Sequence, residues 1–219
     1  MQLSILFPTN RCDLTTLSRI AQACSWAGPA IEVIVRDNSG SPDKRAQIAQ
    51  FRRDHCTVVS ADPCEPLENF SELMRLAKGK FIFCVADDDT FFDRAIAALP
   101  AMIDRVGGDP NVAGINGDYI VETSKGSALL RYPNIESDDV TARVAGYVTH
   151  PGVNVLFYSV QRRVMVERVF RFTSTMPVFL SFHDQMTCLL YPLNGKFVRL
   201  PPVFYGYDMG PWEEMHSAQ

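Results

Sequence analysis

A run of six apolar residues at positions 81–86 is followed directly by three aspartates, Asp87, Asp88 and Asp89. An apolar run of this length predicts a strand that is buried on both faces, as strands of parallel sheets are. In an open α/β sheet, the carboxyl ends of such strands border the ligand-binding crevice. Three carboxylates at that edge would repel one another, and a bound Mg²⁺ or Mn²⁺ would relieve the repulsion because both ions prefer oxygen ligands. The alternative is that one aspartate caps the next helix while the others face water.

The first half of the chain alternates strand and helix patterns. Short apolar runs predict strands at residues 3–7, 31–35, 57–59 and 81–86. Helical spacing of apolar residues predicts helices at residues 13–23, 41–54 and 67–77, and from residue 93 to 106 with Pro100 kinking or interrupting the last one. This order predicts a mostly parallel, layered α/β sheet flanked by helices.

The second half is less regular. Its patterns predict a hairpin or an addition to a mixed sheet at residues 112–121 and 129–132, helices at 138–146 and 179–190, and strands at 155–158 and 196–200. There is no internal repeat and no linker-like change of composition, so a single domain spanning residues 1–219 is the simplest prediction.

Composition excludes several classes of protein. The chain has 219 residues with 21 basic and 25 acidic side chains, and this mild acidity does not support nucleic-acid binding. No apolar stretch is long enough to cross a bilayer, and the first residues lack the basic leader of a signal peptide. The six cysteines form no C-x-x-C pair, which predicts reduced thiols and a cytoplasmic protein.

The Gly-rich fingerprints of nucleotide-binding sheets are also missing. Neither G-x-G-x-x-G nor G-x-x-x-x-G-K-[ST] occurs, so neither a dinucleotide cofactor nor a P-loop is indicated. Instead, polar clusters at residues 8–11, 37–39 and 87–89 follow three of the predicted strands. These clusters should share one sheet edge, where they could hold a base, a ribose and a metal-bound diphosphate.

The same clusters resemble the landmarks of family 2 glycosyltransferases with the GT-A fold. The landmarks occur here in the family's order. They are Pro-Thr-Asn-Arg at 8–11, Val-Ile-Val-Arg-Asp-Asn-Ser-Gly at 33–40 and the segment around the triplet at 83–91. The resemblance covers about the first 95 residues well and the rest in layout. The family's frequent C-terminal Q-x-x-R-W signature is absent, which argues against a processive polysaccharide synthase.

The resemblance implies a GT-A-like (Rossmann-like) fold and an inverting, metal-dependent reaction. A sugar would pass from a nucleotide-diphosphate sugar, a UDP-sugar above all, to a hydroxyl of a glycan, a lipid-linked or another acceptor. About residues 1–95 would form the nucleotide-sugar-binding half and about residues 96–219 the acceptor-binding half. The alternatives are a catalytically inactive sugar-nucleotide-binding module and a nucleotidyltransferase. The latter normally has a Gly-rich basic loop after the first strand, and residues 9–13 contain no glycine.

The resemblance also implies roles for individual residues. The nucleotide-sugar site would comprise Pro8, Thr9, Arg11, Asp37, Asn38, Asn69, Asp87 and Asp88. Thr9 and Asp37 would contact the base, although an Asx turn explains Asp37 equally well. Asp89 would bind the Mn²⁺ or Mg²⁺ and Asp87 the ribose or a water on the metal, while Asp88 could replace either in a shifted frame. His216 would be a third metal ligand from a C-terminal loop.

An inverting transfer needs a base that takes the proton of the acceptor hydroxyl. The family supplies an acid roughly a hundred residues beyond the metal motif, and Asp184 lies 95 residues after Asp89. We therefore predict Asp184 as the base, with His183 as the second candidate. The alternative is a polar helix start, since acids favour the first turn of a helix.

Four arginines, Arg162, Arg163, Arg168 and Arg171, alternate with apolar residues. They could contact anionic lipid head groups and bring the protein to the inner face of the membrane. A solvated helix face is the favoured interpretation.

Overall fold

The computed structural model describes residues 1–132, 135–150, 155–176, 180–200, 203 and 205–208. Its strands are β1 (Leu3–Thr9), β2 (Ile31–Asp37), β3 (Cys56–Ser60), β4 (Phe81–Cys84), β5 (Thr90–Phe91), β6 (Val112–Asn116), β7 (Tyr119–Thr123), β8 (Gly126–Leu130), β9 (Val160–Arg162), β10 (Lys196–Arg199) and β11 (Tyr205–Asp208). Its α-helices are α1 (Leu14–Ser25), α2 (Pro42–Ala49), α3 (Pro66–Leu76), α4 (Asp93–Val106), α5 (Val140–Val148), α6 (Arg163–Thr173) and α7 (Leu180–Asn194).

The main sheet has seven strands in the order β10-β6-β9-β4-β1-β2-β3, and a smaller sheet has four in the order β5-β11-β7-β8. Strand β1 pairs in parallel with β2 and β4, and the pairs β2–β3 and β6–β10 are also parallel. Strand β9 pairs antiparallel with both β4 and β6. All seven residues of β2 and all four of β4 are buried, as the apolar runs predicted. The predicted fold class, a mostly parallel mixed α/β sheet flanked by helices, is confirmed.

The register of the parallel strands places the polar clusters at one edge of the sheet. Thr9 at the end of β1 lies opposite Asp37 at the end of β2. Leu6 of β1 lies opposite Cys84, and the aspartate triplet follows just beyond the end of β4. The shared edge that the sequence predicted is therefore present.

The helix starts follow the capping residues. The Asp13 side chain accepts a hydrogen bond from the Thr16 N–H, and Ser41 does the same from Lys44 with Pro42 at the first helical position. Helix α2 ends at Ala49, so the predicted end at Asp54 is wrong. The chain instead reverses through His55, which has a left-handed φ of 62°, before entering β3. Helix α4 continues through Pro100 to Val106.

The largest error in the second half concerns residues 155–158, which form a short 3-10 helix and not a strand. The strand begins two residues later as β9, and it forms by inserting antiparallel between β4 and β6. A three-residue strand that depends on two distant partners leaves only a weak local pattern. The predicted run 112–121 divides into β6 of the main sheet and β7 of the smaller sheet, and the hairpin partner of β7 is β8 at Gly126–Leu130, not residues 129–132. Helices α5 and α7 lie close to their predicted positions. Among the described residues, no helix is long and apolar enough to cross a membrane.

One glycine allows the loop before β4 to lie against β1. A Cβ at Gly79 would lie 2.5 Å from the backbone N of Ser4. The Gly79 N–H donates to Ser4 Oγ at 2.7 Å and to the buried Glu32 carboxylate at 3.1 Å. The substitution Gly79→Ala is expected to destabilise the protein by about 1–3 kcal/mol, because the backbone must move to admit the methyl group. The measurement is the midpoint of urea unfolding.

The control for this substitution is Gly108→Ala, since a Cβ at Gly108 would meet no atom within 4 Å. If the unfolding midpoint of Gly79→Ala equals that of the control, the close contact with β1 does not contribute to the stability of the protein.

Candidate functional site

A cavity of about 560 Å³ opens at the carboxyl ends of β1, β2 and β4. It extends from this sheet edge across α3 to the first turns of α7. Its lining residues are Pro8, Thr9, Asn10, Asn38, Pro66, Leu67, Asn69, Phe70, Asp87, Phe157, Phe170, His183 and Asp184. The cavity thus brings together residues that the sequence predicted separately, from the Pro8 cluster, the Asn38 turn, α3, the aspartate triplet and the candidate base.

Behind the sheet edge, a buried lysine joins two of the predicted residues. Lys44 Nζ lies 2.8 Å from Asp37 Oδ1 and donates to Thr9 Oγ1 at 2.8 Å. Thr9 Oγ1 in turn donates to Asp87 Oδ2 at 2.8 Å. The side chains of Lys44 and Asp37 are each only 2% exposed. Sequence reasoning missed Lys44, because a lysine near the start of a polar helix normally faces solvent.

The turn after β2 is an Asx turn, which was the alternative interpretation of Asp37. The Ser39 N–H donates to Asp37 Oδ1 at 3.1 Å, and the Ser39 hydroxyl donates to Oδ2 at 3.1 Å. Asp37 is buried and is not among the cavity-lining residues. Its carboxylate therefore organises the turn and pairs with Lys44, and a contact with a base stays a prediction.

The amides that do line the cavity are fixed by a buried arginine. Arg36 Nη1 donates to Asn69 Oδ1 at 2.5 Å. Because a guanidinium group only donates, the Asn69 oxygen must face Arg36, and its Nδ2 donates to Asn38 Oδ1 at 3.0 Å. Asn38 Nδ2 then donates to the Cys64 carbonyl at 3.0 Å. Arg36 therefore determines which amide atoms both asparagines present to the cavity, and no sequence pattern had indicated it.

The three aspartates of the triplet lie in different environments. Asp87 lines the cavity. Asp88, with a side chain that is 25% exposed, accepts a hydrogen bond from Arg11 Nη2 at 2.8 Å, and Arg11 Nε lies 3.7 Å from Asp87 Oδ1. Asp89 is only 1% exposed. Burial, together with the nearby carboxylates of Asp89, Asp88 and Asp184, raises the pKa of Tyr207 to about 12.

The fit of a divalent cation depends on this arrangement. Within the part of the chain that the structure describes, no group of three His, Cys, Asp or Glu side chains could hold a metal ion. The predicted ligand His216 lies outside the described residues. Magnesium commonly uses only one or two carboxylates together with substrate phosphates. The triplet therefore fits a cation that arrives with a diphosphate better than a metal centre built by the protein alone.

Asp184 and His183 of α7 line the same cavity. Burial raises the pKa of the Asp184 carboxyl above its ordinary value, and burial lowers the pKa of His183. Helix α7 begins at Leu180 and has no acid in its first turn, so Asp184 does not serve as a first-turn acid. The helix-start interpretation of this residue is therefore not supported, and the catalytic one stays a prediction.

The four arginines divide into two pairs. Arg162 donates to the backbone carbonyls of Val112, Gly107 and Asp109, and Arg163 donates to Gly79 O and pairs with Glu167. These two hold the sheet and the start of α6. Arg168 and Arg171 lie on the surface of α6. Any contact with lipid head groups would involve only the second pair.

No family model and no curated protein matches the sequence. Solved structures of S. aureus TarS share the fold. TarS residues 1–349 align with a TM-score of 0.64 at 14% identity over 95% of this chain and 60% of that one. The complex of TarS 1–349 with UDP-GlcNAc aligns with a TM-score of 0.64 at 14% identity, over 95% of this chain and 58% of that one. The complex with UDP aligns with a TM-score of 0.61 at 15% identity, over 99% of this chain and 63% of that one. The chain therefore spans about 60% of the length of these TarS structures.

Proposed function

We propose that this protein is a metal-dependent, inverting glycosyltransferase of the family 2 type, which transfers a hexosyl or N-acetylhexosaminyl group from a UDP-sugar to an acceptor hydroxyl. The observation that carries the proposal is that one cavity is lined by Thr9, Asn38, Asn69 and Asp87 and also by Asp184. The fold is shared with TarS, a glycosyltransferase with structures in complex with UDP-GlcNAc and UDP.

In this proposal the nucleotide lies along the sheet edge. The amides of Asn38 and Asn69, held in one orientation by Arg36, present donors and acceptors to the base. Asp87, Asp88 and Asp89 would hold the cation that accompanies the diphosphate, and Arg11 positions the first two. A divalent cation bound there would supply Lewis acidity that stabilises the negative charge of the leaving diphosphate.

Asp184 would act on the acceptor. Its carboxylate takes the proton of the acceptor hydroxyl as the oxygen forms a bond to the anomeric carbon. The bond between that carbon and the diphosphate breaks, and its electron pair leaves with the diphosphate. In this proposal the hydroxyl attacks the face opposite the diphosphate, so the anomeric centre is inverted. A cytoplasmic location, with Arg168 and Arg171 touching the inner face of the membrane, belongs to the same proposal.

The test is thermal unfolding with UDP, UDP-sugars and GDP-sugars, each with and without Mn²⁺. A ligand at about 100 times its Kd adds about 2.7 kcal/mol to the stability of the native state. For a chain of this size we expect UDP or a UDP-sugar with Mn²⁺ to raise the melting temperature by about 5–10 °C. Asp87→Asn should remove most of this shift, because it removes a cavity carboxylate that accepts a hydrogen bond from Thr9 and forms an ion pair with Arg11.

The control is Asp62→Asn, which changes an exposed aspartate outside the cavity and should keep the full shift. If no nucleotide stabilises the unmodified protein, with or without Mn²⁺, the proposed function is wrong. Stabilisation without turnover of any acceptor would favour a catalytically inactive sugar-nucleotide-binding module.

A further inference from the structure

One end of the cavity is built from aromatic side chains. We call Phe70, Phe157, Phe170 and His183 the aromatic end. The ring centroids of Phe70 and Phe157 are 5.5 Å apart, those of Phe70 and Phe170 are 4.6 Å apart, and the His183 ring meets Phe170 edge-on at 5.1 Å. These rings come from α3, α6, α7 and the 3-10 helix at Val155–Tyr158, so the surface is assembled by the tertiary fold.

A polar atom in this apolar wall lacks a partner. His183 is only 4% exposed, and its Nε2 makes no hydrogen bond with any residue that the structure describes. Buried ring nitrogens are normally satisfied, because an unmade hydrogen bond costs about 1–3 kcal/mol. Since His183 lines the cavity, the group that satisfies Nε2 can come from a bound molecule.

The charges around the cavity restrict that molecule. Among the described residues that line it, none is a lysine or an arginine, whereas Asp184 and Asp87 are acidic. A phosphate or carboxylate at the aromatic end would meet repulsion and no cationic partner. Ligand sites of this kind combine an apolar wall with a few polar groups that fix orientation.

We propose that the aromatic end is the acceptor subsite, and that it takes an uncharged ring with one apolar face whose hydroxyl group binds His183 Nε2. This inference rests on the proposed function, since it places the acceptor hydroxyl beside Asp184. The apolar face of the ring packs on Phe70, Phe157 and Phe170, and neutral imidazole accepts from or donates to the hydroxyl. His183 binds and orients the acceptor, and the proton passes to Asp184.

Two kinds of molecule have this chemistry, namely a neutral sugar at the end of a glycan and a phenolic aglycone. The first experiment uses saturation-transfer NMR with three probes: methyl glycosides of the common hexoses, 4-methylphenol, and phenyl phosphate as the anionic comparison. We expect at least one neutral probe to bind and phenyl phosphate not to bind. The neutral probe that binds identifies the kind of acceptor. Binding of phenyl phosphate as tight as that of the neutral probes, or binding of no neutral probe, would overturn the inference.

The second experiment repeats the titration with variants. His183→Phe keeps an aromatic ring but removes Nε2, and it should lower the affinity for the neutral probe about tenfold. His183→Gln should keep much of the affinity, because its amide can form the hydrogen bond. Phe170→Leu should weaken the same probe several-fold, and the control Phe172→Leu, on the exposed side of α6, should leave it unchanged. If both His183→Phe and Phe170→Leu bind the neutral probe as tightly as the unmodified protein does, the proposal is wrong. If His183→Phe does not fold, the Phe170→Leu result alone decides.

UDP affinity is measured on the same samples and should stay constant across these variants. If UDP does not bind but the neutral probes follow the expected pattern, the proposed function fails and the subsite stands. If UDP binds and the probes do not follow the pattern, the acceptor assignment fails alone.

Discussion

Replacing Asp184 by asparagine is expected to lower the rate of the proposed sugar transfer about 10²–10⁴-fold, because in the proposed reaction Asp184 takes the proton of the acceptor hydroxyl. Asparagine has nearly the same shape, so the cavity should keep its form. In the proposed reaction Asp184 acts on the acceptor and not on the nucleotide, so the affinity for UDP should change by no more than about twofold. The measurement is kcat for transfer from a UDP-sugar, together with calorimetric titration of UDP.

The pH dependence supplies a second measurement on the same residue. Burial raises the pKa of Asp184 above that of an ordinary aspartate. A base acts only when it is deprotonated, so kcat should fall as the pH drops through this raised pKa, at a higher pH than an exposed aspartate would give. Burial lowers the pKa of the neighbouring His183, which favours its neutral form. The residual kcat of the asparagine variant should not show this fall at low pH.

A different outcome would reassign Asp184. Equal losses in kcat and in UDP affinity would indicate that the residue shapes the nucleotide site. An unchanged kcat would remove it from the reaction and would leave His183 as the remaining candidate base.

The parts of the fold that the sequence predicted well are those encoded in short segments. Strand β4 is an unbroken apolar run, β1 and β2 are mostly apolar, and the start of helix α1 is marked by a capping aspartate. Because parallel strands end at a common edge, the polar residues that follow them could be placed together before any contact was known. The wrong assignments depend on distant partners. Strand β9 exists only between β4 and β6, and β11 pairs with both β5 and β7.

The site shows the same division. Thr9, Asn38, Asn69, Asp87 and Asp184 were predicted and lie around one cavity. Lys44 and Arg36, which orient these residues, were not predicted. Both are charged, and charged side chains usually lie on the surface. They are buried because each meets its partner only after β2 has packed against the neighbouring helices. Sequence patterns thus identified groups that line the cavity, whereas the groups that orient them required the tertiary structure.

Lys44→Met is expected to destabilise the protein by about 3–5 kcal/mol, because it leaves the buried Asp37 carboxylate without its cation. The two side chains are each 2% exposed, and Lys44 Nζ lies 2.8 Å from Asp37 Oδ1. The measurement is the midpoint of urea unfolding. An exposed ion pair should be worth far less, so Arg75→Met serves as the control. Arg75 and Glu72 have side chains that are 68% and 39% exposed, and their pair should contribute less than about 1 kcal/mol.

The double variant Lys44→Met/Asp37→Asn separates the charge from the packing. Asparagine can still accept the Ser39 N–H and keep the Asx turn, while it carries no buried charge. Most of the lost stability should therefore return, and the double-mutant cycle should give a coupling energy of about 1–3 kcal/mol between the two positions. If instead the two losses simply add, the energy lies in the packing of the lysine stem and in its bond to Thr9. The ion pair would then not be what holds the edge of β1 and β2 in place for the cavity.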